Sequence, residues 1–291
     1  MIKSMRRRHV LKTLGVGCLG LGVAPDILAK SVKGYFAGTE YWDAELKDYE
    51  LKDYLHKIQN FNAPHADDVL INDDLYVTFE STVMRLRRLQ KLVGHGNYNI
   101  LNFADGLALA RNYSRIGEFT KQELSFMEHT FYADGERYGF LGQKPLKEIT
   151  DQVNKKEVAK IPRSGNYLYK DRSVELFDEI RKELGDQVIL TSGIRGVMKQ
   201  FLLFLNKVHN SDGNLSLASR SLAPPGYSFH GNGDFDVGQK GYGKLNFTGT
   251  FTETDVYKRL TELGYLKLRY PADNQLGVRY EPWHIKINAN A

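Results

Sequence analysis

The chain has 291 residues, 42% hydrophobic and 26% charged, which fits a soluble globular protein of one or two domains with enough length to bury a core unaided. Its formal charge of +5 would suit a nucleic-acid binder, but residues 1–29 hold five basic side chains against the single Asp26. Without them 35 basic residues face 34 acidic ones, so the basic excess belongs to a leader and no nucleic-acid partner is expected.

The leader places Lys3, Arg6, Arg7 and Arg8 ahead of an apolar run from Val10 to Ala24, too short to remain as a membrane span. Arg7 to Lys12, R-R-H-V-L-K, resembles the twin-arginine export signal, R-R-x-apolar-L-K. Ile27-Leu28-Ala29 offers a small residue at the cut, so a signal peptide over 1–29 is expected. The expected partner during export is the twin-arginine translocase, and the expected location is the periplasm or cell wall. No stable membrane span remains after cleavage. Cys18 is the one cysteine; as a lipidation site it is disfavoured by Gly15, where such sites usually carry Leu. The mature chain then has no thiol, which suits an oxidising compartment.

Residues 30–140 read as a helical N-terminal region. An exposed helix is expected over about 42–61, where E-L-K-D-Y occurs twice in succession. Asn72-Asp73-Asp74 offers a cap for a helix over 75–93, with Leu75, Phe79, Val83, Leu86, Leu89 and Leu92 on one face. Its Arg85, Arg87, Arg88 and Lys91 are expected simply to be solvated. A helix over 98–113 follows. Thr120 to Glu123 forms a capping box for another, ending near Ala133, whose His129 is expected to be a packing or surface residue and not a ligand.

Residues 141–291 read as the domain that carries the chemistry. Its first part, 141–171, is linker-like, with a short helix expected over 146–153. Then come an expected helix over 173–184, a strand over 187–191, a helix to Val208 and a polar loop over 210–226. A helix over 253–263 and short strands around 266–269, 277–281 and 283–287 complete the domain. This is an α+β pattern: a small, mostly antiparallel sheet with helices, preceded by an all-helical region.

Chemistry concentrates in P-G-Y-S-F-H-G-N-G-D-F-D-V-G, Pro225 to Gly238, and in Glu281-Pro282-Trp283-His284. A catalytic zinc site needs three N/O ligands, an open position and a nearby carboxylate. His230, Asp236 and His284 supply the ligands, and Glu281 the base. Fully extended, His230 and Asp236 would stand about 20 Å apart, so the chain must turn back at Gly231-Asn232-Gly233. Pro282 is expected to hold the backbone extended between Glu281 and His284.

Three blocks in this order carry a resemblance. Ser192-Gly193-Ile194-Arg195 with Gln200, Pro225 to His230, and Glu281 to His284 are similar to the S-G-x-R-x-x-x-x-Q, P-G-x-S-x-H and E-x-W-H blocks of the zinc D-alanyl-D-alanine carboxypeptidases and dipeptidases of the VanY and VanX type. The resemblance covers about residues 161–288. It implies a small α+β fold, a Zn2+ cofactor and hydrolysis of peptidoglycan stem peptides. It also implies a role for Arg195 in catalysis and substrate binding, and substrate-binding roles for Gln200 and Ser228. The family usually has seven residues from the first histidine to the aspartate; here there are six to Asp236, with Asp234 between. Asp236 is preferred as ligand because Val237-Gly238 follow it, with Asp234 the alternative. An L,D-carboxypeptidase, a peptidoglycan endopeptidase, or a non-catalytic wall- or metal-binding module are the competing functions.

Overall fold

The computed structural model describes residues 48–287. The leader with its twin-arginine motif, Cys18, the start of the expected 42–61 helix and the last four residues lie outside the described residues. Within them, no helix is long and apolar enough to cross a membrane.

The helical region begins with α1 (Asp48–Gln59). Tyr54 on it accepts a hydrogen bond from the Gly277 N–H and donates to the Asn274 carbonyl, tying the helix to a loop near the other end of the chain. A 3-10 turn, Asp73–Leu75, leads into α2 (Tyr76–Val93), and Asn72 makes no side-chain capping bond. Of the six residues expected on one face, Phe79, Val83, Leu86 and Leu89 form a buried stripe and Leu92 is half-buried, whereas Leu75 falls in the 3-10 turn and is exposed. The expected helix over 98–113 is instead two, α3 (His95–Tyr98) and α4 (Phe103–Asn112). The break falls where polar groups are needed elsewhere: the Asn99 carbonyl accepts the Gly196 N–H at 2.7 Å, and Asn102 Oδ1 accepts that of Val153 at 2.9 Å. The helix α5 (Lys121–Tyr132) starts at Thr120, whose capping box with Glu123 forms as the sequence predicts, and His129 is exposed.

One expectation for α2 fails. Arg85 is not merely solvated: it binds both carboxylate oxygens of Glu123, a side chain 1% exposed, and the Ile116 carbonyl. Arg88 reaches the same carbonyl, and Arg87 bonds Asn206 on a distant helix. These cations meet acceptors that only the tertiary fold brings within reach.

The stretch expected as a linker holds a hairpin, β1 (Val158–Lys160) with β2 (Tyr167–Tyr169), and no helix over 146–153. Three-residue strands are too short for their alternation to show in the sequence. Then follow α6 (Arg172–Leu184), β3 (Val188–Ser192) and α7 (Val197–Asn210). The expected polar loop contains α8 (Leu215–Ser219). The chain closes with β4 (Phe235–Gln239), α9 (Asp255–Glu262) and β5 (His284–Ile285). Strands β3, β4 and β5 form an antiparallel sheet with β4 in the middle, so the α+β class is as expected. The strands expected around 266–269 and 277–281 do not form. Leu268 makes a single bridge to Ile285, while Arg279 and Glu281 send their N–H groups to different partners, Arg220 and Tyr270.

Of four apolar clusters among the described residues, two large ones make up most of the core. Phe79, Leu86 and Phe131 of the helical layer share one with Phe201, Phe204 and Leu205 of α7. Phe177, Phe235, Leu260 and Trp283 share the other, between the sheet and helices α6 and α9. The helical layer thus builds its core on α7, and α7 also walls the site.

Candidate metal centre

Strand alternation makes the site. On β4 the side chains of Phe235 and Val237 enter the second apolar cluster, and on β5 so does Ile285. Asp236 and His284, directly opposite one another in the β4–β5 register, therefore project from the other face. Ser192 faces Asp236 from β3, past an irregularity in that pairing.

His230 arrives on a 3-10 turn, Phe229–Asn232, that reverses the chain at Gly233, whose φ of 109° suits glycine. Tyr169 Oη donates to the Gly231 carbonyl at 2.9 Å and Ser173 Oγ to the Gly233 carbonyl at 2.8 Å, fixing the turn to β2 and α6. The expected return between His230 and Asp236 is thus present. At Pro282 the chain does not run extended: the His284 N–H donates to the Glu281 carbonyl at 3.1 Å, closing a tight turn. Proline's fixed φ suits the second position of such a turn, and the fold back sets Glu281 Oε2 3.6 Å from His284 Nδ1.

His230, Asp236 and His284 each point one ligand atom at a common space, all within 4.8 Å of one another, and all three residues are buried. His230 Nε2 lies 3.2 Å and His284 Nδ1 3.4 Å from Asp236 Oδ1. Both His230 Nε2 and Asp236 Oδ1 are buried without a hydrogen-bond partner. Unmet buried polar atoms cost free energy, and a cation between them removes the cost, so the donor set fits a metal ion.

The outward atoms are all held. His230 Nδ1 lies 2.8 Å from the Gly193 carbonyl, to which it donates, leaving Nε2 free of a proton. Gly193 is needed there, because a Cβ would run into the Tyr167 carbonyl oxygen. His284 Nε2 bonds Asp234 Oδ2 at 2.9 Å. Asp234 itself is gripped by Arg269 and by the Ile287 N–H, and so sits behind His284, away from the ligand space. Arg195 Nη2 donates to Asp236 Oδ2 at 2.6 Å and its Nε to Ser192 Oγ at 2.9 Å, leaving Oδ1 to face the imidazoles.

The charges follow from these contacts. Burial, then the charge of Arg195, lowers the pKa of His230, keeping it neutral and ready to ligate. Burial pushes Asp236 up, but the charges of Arg195 and His284 beside it outweigh that and hold the carboxylate far below its ordinary range. Burial would lower His284, yet hydrogen bonds to Asp234 and Glu281 and the Asp236 charge raise it to about 9. A metal ion at Nδ1 must displace that proton.

Arg195, Asp236 and Glu281 line a cleft of about 590 Å³, walled on one side by α7 and on another by Phe61, Asn62 and His95 from the helical region. Two residues expected at the substrate do not line it. Gln200 is buried and spends its amide on the main chain, donating to the Arg195 carbonyl and accepting from the Gly226 N–H, both at 2.8 Å. It braces the block that carries Arg195 against the turn that carries His230. Ser228 is buried just ahead of the 3-10 turn and lies outside the cleft lining too. Sequence reasoning missed Arg279, which lines the cleft two residues before Glu281. It also missed Arg269, whose only signal was an unassigned cation in a β-like run.

Among curated proteins, nothing matches this chain. It is similar to the solved LdcB LD-carboxypeptidase, at 26% identity and a TM-score of 0.36 over 44% of this chain, and spans 62% of that one, less than two thirds. It is similar to a vancomycin-resistance D,D-pentapeptidase VanY mutant in complex with Zn(II), at 26% identity and a TM-score of 0.37, covering 50% of this chain and 84% of that one. VanYB in complex with D-alanine-D-alanine is similar at 26% identity and a TM-score of 0.38, with 50% of this chain and 82% of that one covered. Over residues 168–289, the stretch that supplies His230, Asp236, Glu281 and His284, the chain matches the family model VanY: D-alanyl-D-alanine carboxypeptidase.

Proposed function

We propose that this chain is an exported zinc peptidase that removes a terminal D-alanine from peptidoglycan stem peptides. The observation that carries this is the pair of unpartnered buried atoms, His230 Nε2 and Asp236 Oδ1, set beside His284 Nδ1 and Glu281 in a stretch that matches the VanY model. Two imidazole nitrogens and one carboxylate oxygen suit zinc, and His230, Asp236 and His284 would hold it. When bound, zinc supplies Lewis acidity that polarises a peptide carbonyl and makes a water molecule a better nucleophile near neutral pH.

The chain's own groups do the rest. Glu281 takes the proton of the attacking water and hands it to the leaving amine as the C–N bond breaks. Asp234 fixes the orientation of His284, and Arg195 fixes Asp236 through the oxygen that does not face the metal space. The Arg7-Arg8 leader supports export to the periplasm or cell wall. Replacing both arginines by lysine should hold the protein in the cytoplasm on fractionation.

Digestion of purified muropeptides with defined ends, read by product mass, tests the activity. Loss of one D-alanine from D-Ala-D-Ala ends is the expected result. Cleavage at an L,D bond or inside the stem would make it an L,D-carboxypeptidase or an endopeptidase. Zinc-loaded protein that yields no product would be a binding module.

A further inference from the structure

On the wall of the cleft, Lys199, Leu203 and Lys207 recur every fourth residue along α7. Eight residues of helix rise about 12 Å, so the two lysines mark the ends of one face. Among the described residues, no hydrogen bond or ion pair engages Lys199, and burial, then the nearby Arg195, pushes its pKa down to about 8. Among the described residues, Lys207 hydrogen-bonds the Asn62 side-chain oxygen alone, at 3.3 Å, and burial, Arg279 and Arg220 lower its pKa. The Arg279 guanidinium lies 4.8 Å from the ring centroids of both Phe61 and Trp283. Its Nε is buried without a hydrogen-bond partner, and the Glu281 carboxylate is 3.8 Å away.

The charge count of this cleft is lopsided. Arg195 and Asp236 satisfy one another. Among the described residues that line it, that leaves Lys199, Lys207 and Arg279 against Glu281, before any metal ion adds its own positive charge. Half-buried cations that outnumber the anions facing them are relieved by an anionic ligand. A single carboxylate cannot reach both ends of a 12 Å face. An extended peptide advances about 3.3–3.6 Å per residue, so two carboxylates some three residues apart can.

We propose that Lys199, Lys207 and Arg279 form an anion subsite that selects acidic peptides: substrates that carry, besides the terminal carboxylate, a second free carboxylate about three residues upstream. Phe61 and Asn62, from outside the stretch that matches the family model, complete it by holding Arg279 and Lys207. This deepens the peptidase assignment and rests on it for the direction in which the peptide lies.

The test uses two peptides ending in Lys-D-Ala-D-Ala, preceded by a γ-linked D-glutamate whose α-carboxylate is either free or amidated. For the zinc-loaded full-length protein, kcat/KM should favour the free acid by about tenfold, the lower end for one hydrogen bond to a charged group, with the difference mostly in KM. The Lys199→Met, Lys207→Met double variant should bring the ratio within about twofold of unity, and the Lys199→Arg, Lys207→Arg variant should keep it. A wild-type ratio near one, or a ratio unchanged in the methionine variant, overturns the proposal. Should the double variant fail to fold, Lys199→Met alone should lower the ratio, and an unlowered ratio again overturns it. If neither peptide is cleaved, the peptidase assignment has failed. Calorimetric Kd values for the same two peptides then decide the subsite: tighter binding of the free acid supports it, and equal binding overturns it.

Discussion

The helical layer and the cleft both bury charge, but they treat it in opposite ways. In the helical region Glu123 is closed in by two bonds from Arg85 and one from the Thr120 N–H. Asp68 is held by Arg220, Asn214 and the His65 N–H. Around the cleft, Asn99 Oδ1, Thr191 Oγ1, Asp236 Oδ1, Arg279 Nε and, at the metal centre, His230 Nε2 are buried with no partner. Of the buried side-chain atoms left unmet among the described residues, only His65 Nε2 and the Tyr98 hydroxyl lie elsewhere. A fold that satisfies its buried polar atoms where they serve structure and leaves them unmet around one cleft has a place for something it does not itself contain.

Removing the proton acceptor should give the largest effect. Glu281→Gln should lower kcat by about 10²- to 10⁴-fold, the range for general-base loss, while metal analysis still finds one ion per chain. If the ion is lost along with the activity, Glu281 belongs to the ligand set instead. The matching cut on the structural side is Glu123→Leu, which strands Arg85 and should cost about 3 kcal/mol in urea unfolding with little change in metal content. A loss of metal with a small stability change would erase the contrast between the two regions.

Acid sharpens the same point. Burial raises the Glu123 pKa, but the bonds from Arg85 and Thr120 outweigh it and hold the carboxyl below its ordinary value. Its contribution is therefore full above the unfolded-state pKa and lost as pH falls through the folded one. Stability plotted below pH about 4.5 should fall less steeply in Glu123→Leu than in the wild type. Parallel curves would show that the pair is not what acid breaks.

A smaller effect separates support from ligation. Asp234→Asn keeps the shape but weakens the grip on His284, and should reduce zinc affinity by about 10- to 100-fold in competition with a chelator. Complete loss of binding would make Asp234 a ligand. The smallest change expected is from Thr120→Ala, which opens the capping box of α5 at a cost of about 1 kcal/mol and should leave zinc affinity alone.

Much of this was legible in the sequence, for reasons that can be named. The α5 cap, the buried stripe of α2 and the glycine turn after His230 are local patterns, and each forms as its residues dictate. The two histidines and Asp236 could be picked out because few residue types ligate zinc. What the sequence hid depends on distant partners. Gln200 looks like a substrate contact until its amide is seen bonded to the main chain at Arg195 and Gly226. Arg85 looks solvated until Glu123 arrives from another helix. The tight turn at Pro282 was missed because proline suits both an extended strand and the second position of a turn, and the Tyr270 carbonyl that receives the Glu281 N–H is eleven residues away. Arg279 had no motif at all; its place between Phe61 and Trp283 joins residues more than 200 positions apart in the chain.

Metal binding by the full-length protein tests the central claim most directly. Equilibrium dialysis against zinc, with the ion counted by mass spectrometry, should give one ion per chain for the wild type and none for His230→Ala or for Asp236→Ala, each shown folded by circular dichroism. Wild-type protein that takes up no zinc, or folded variants that bind it as well as the wild type, would contradict the account.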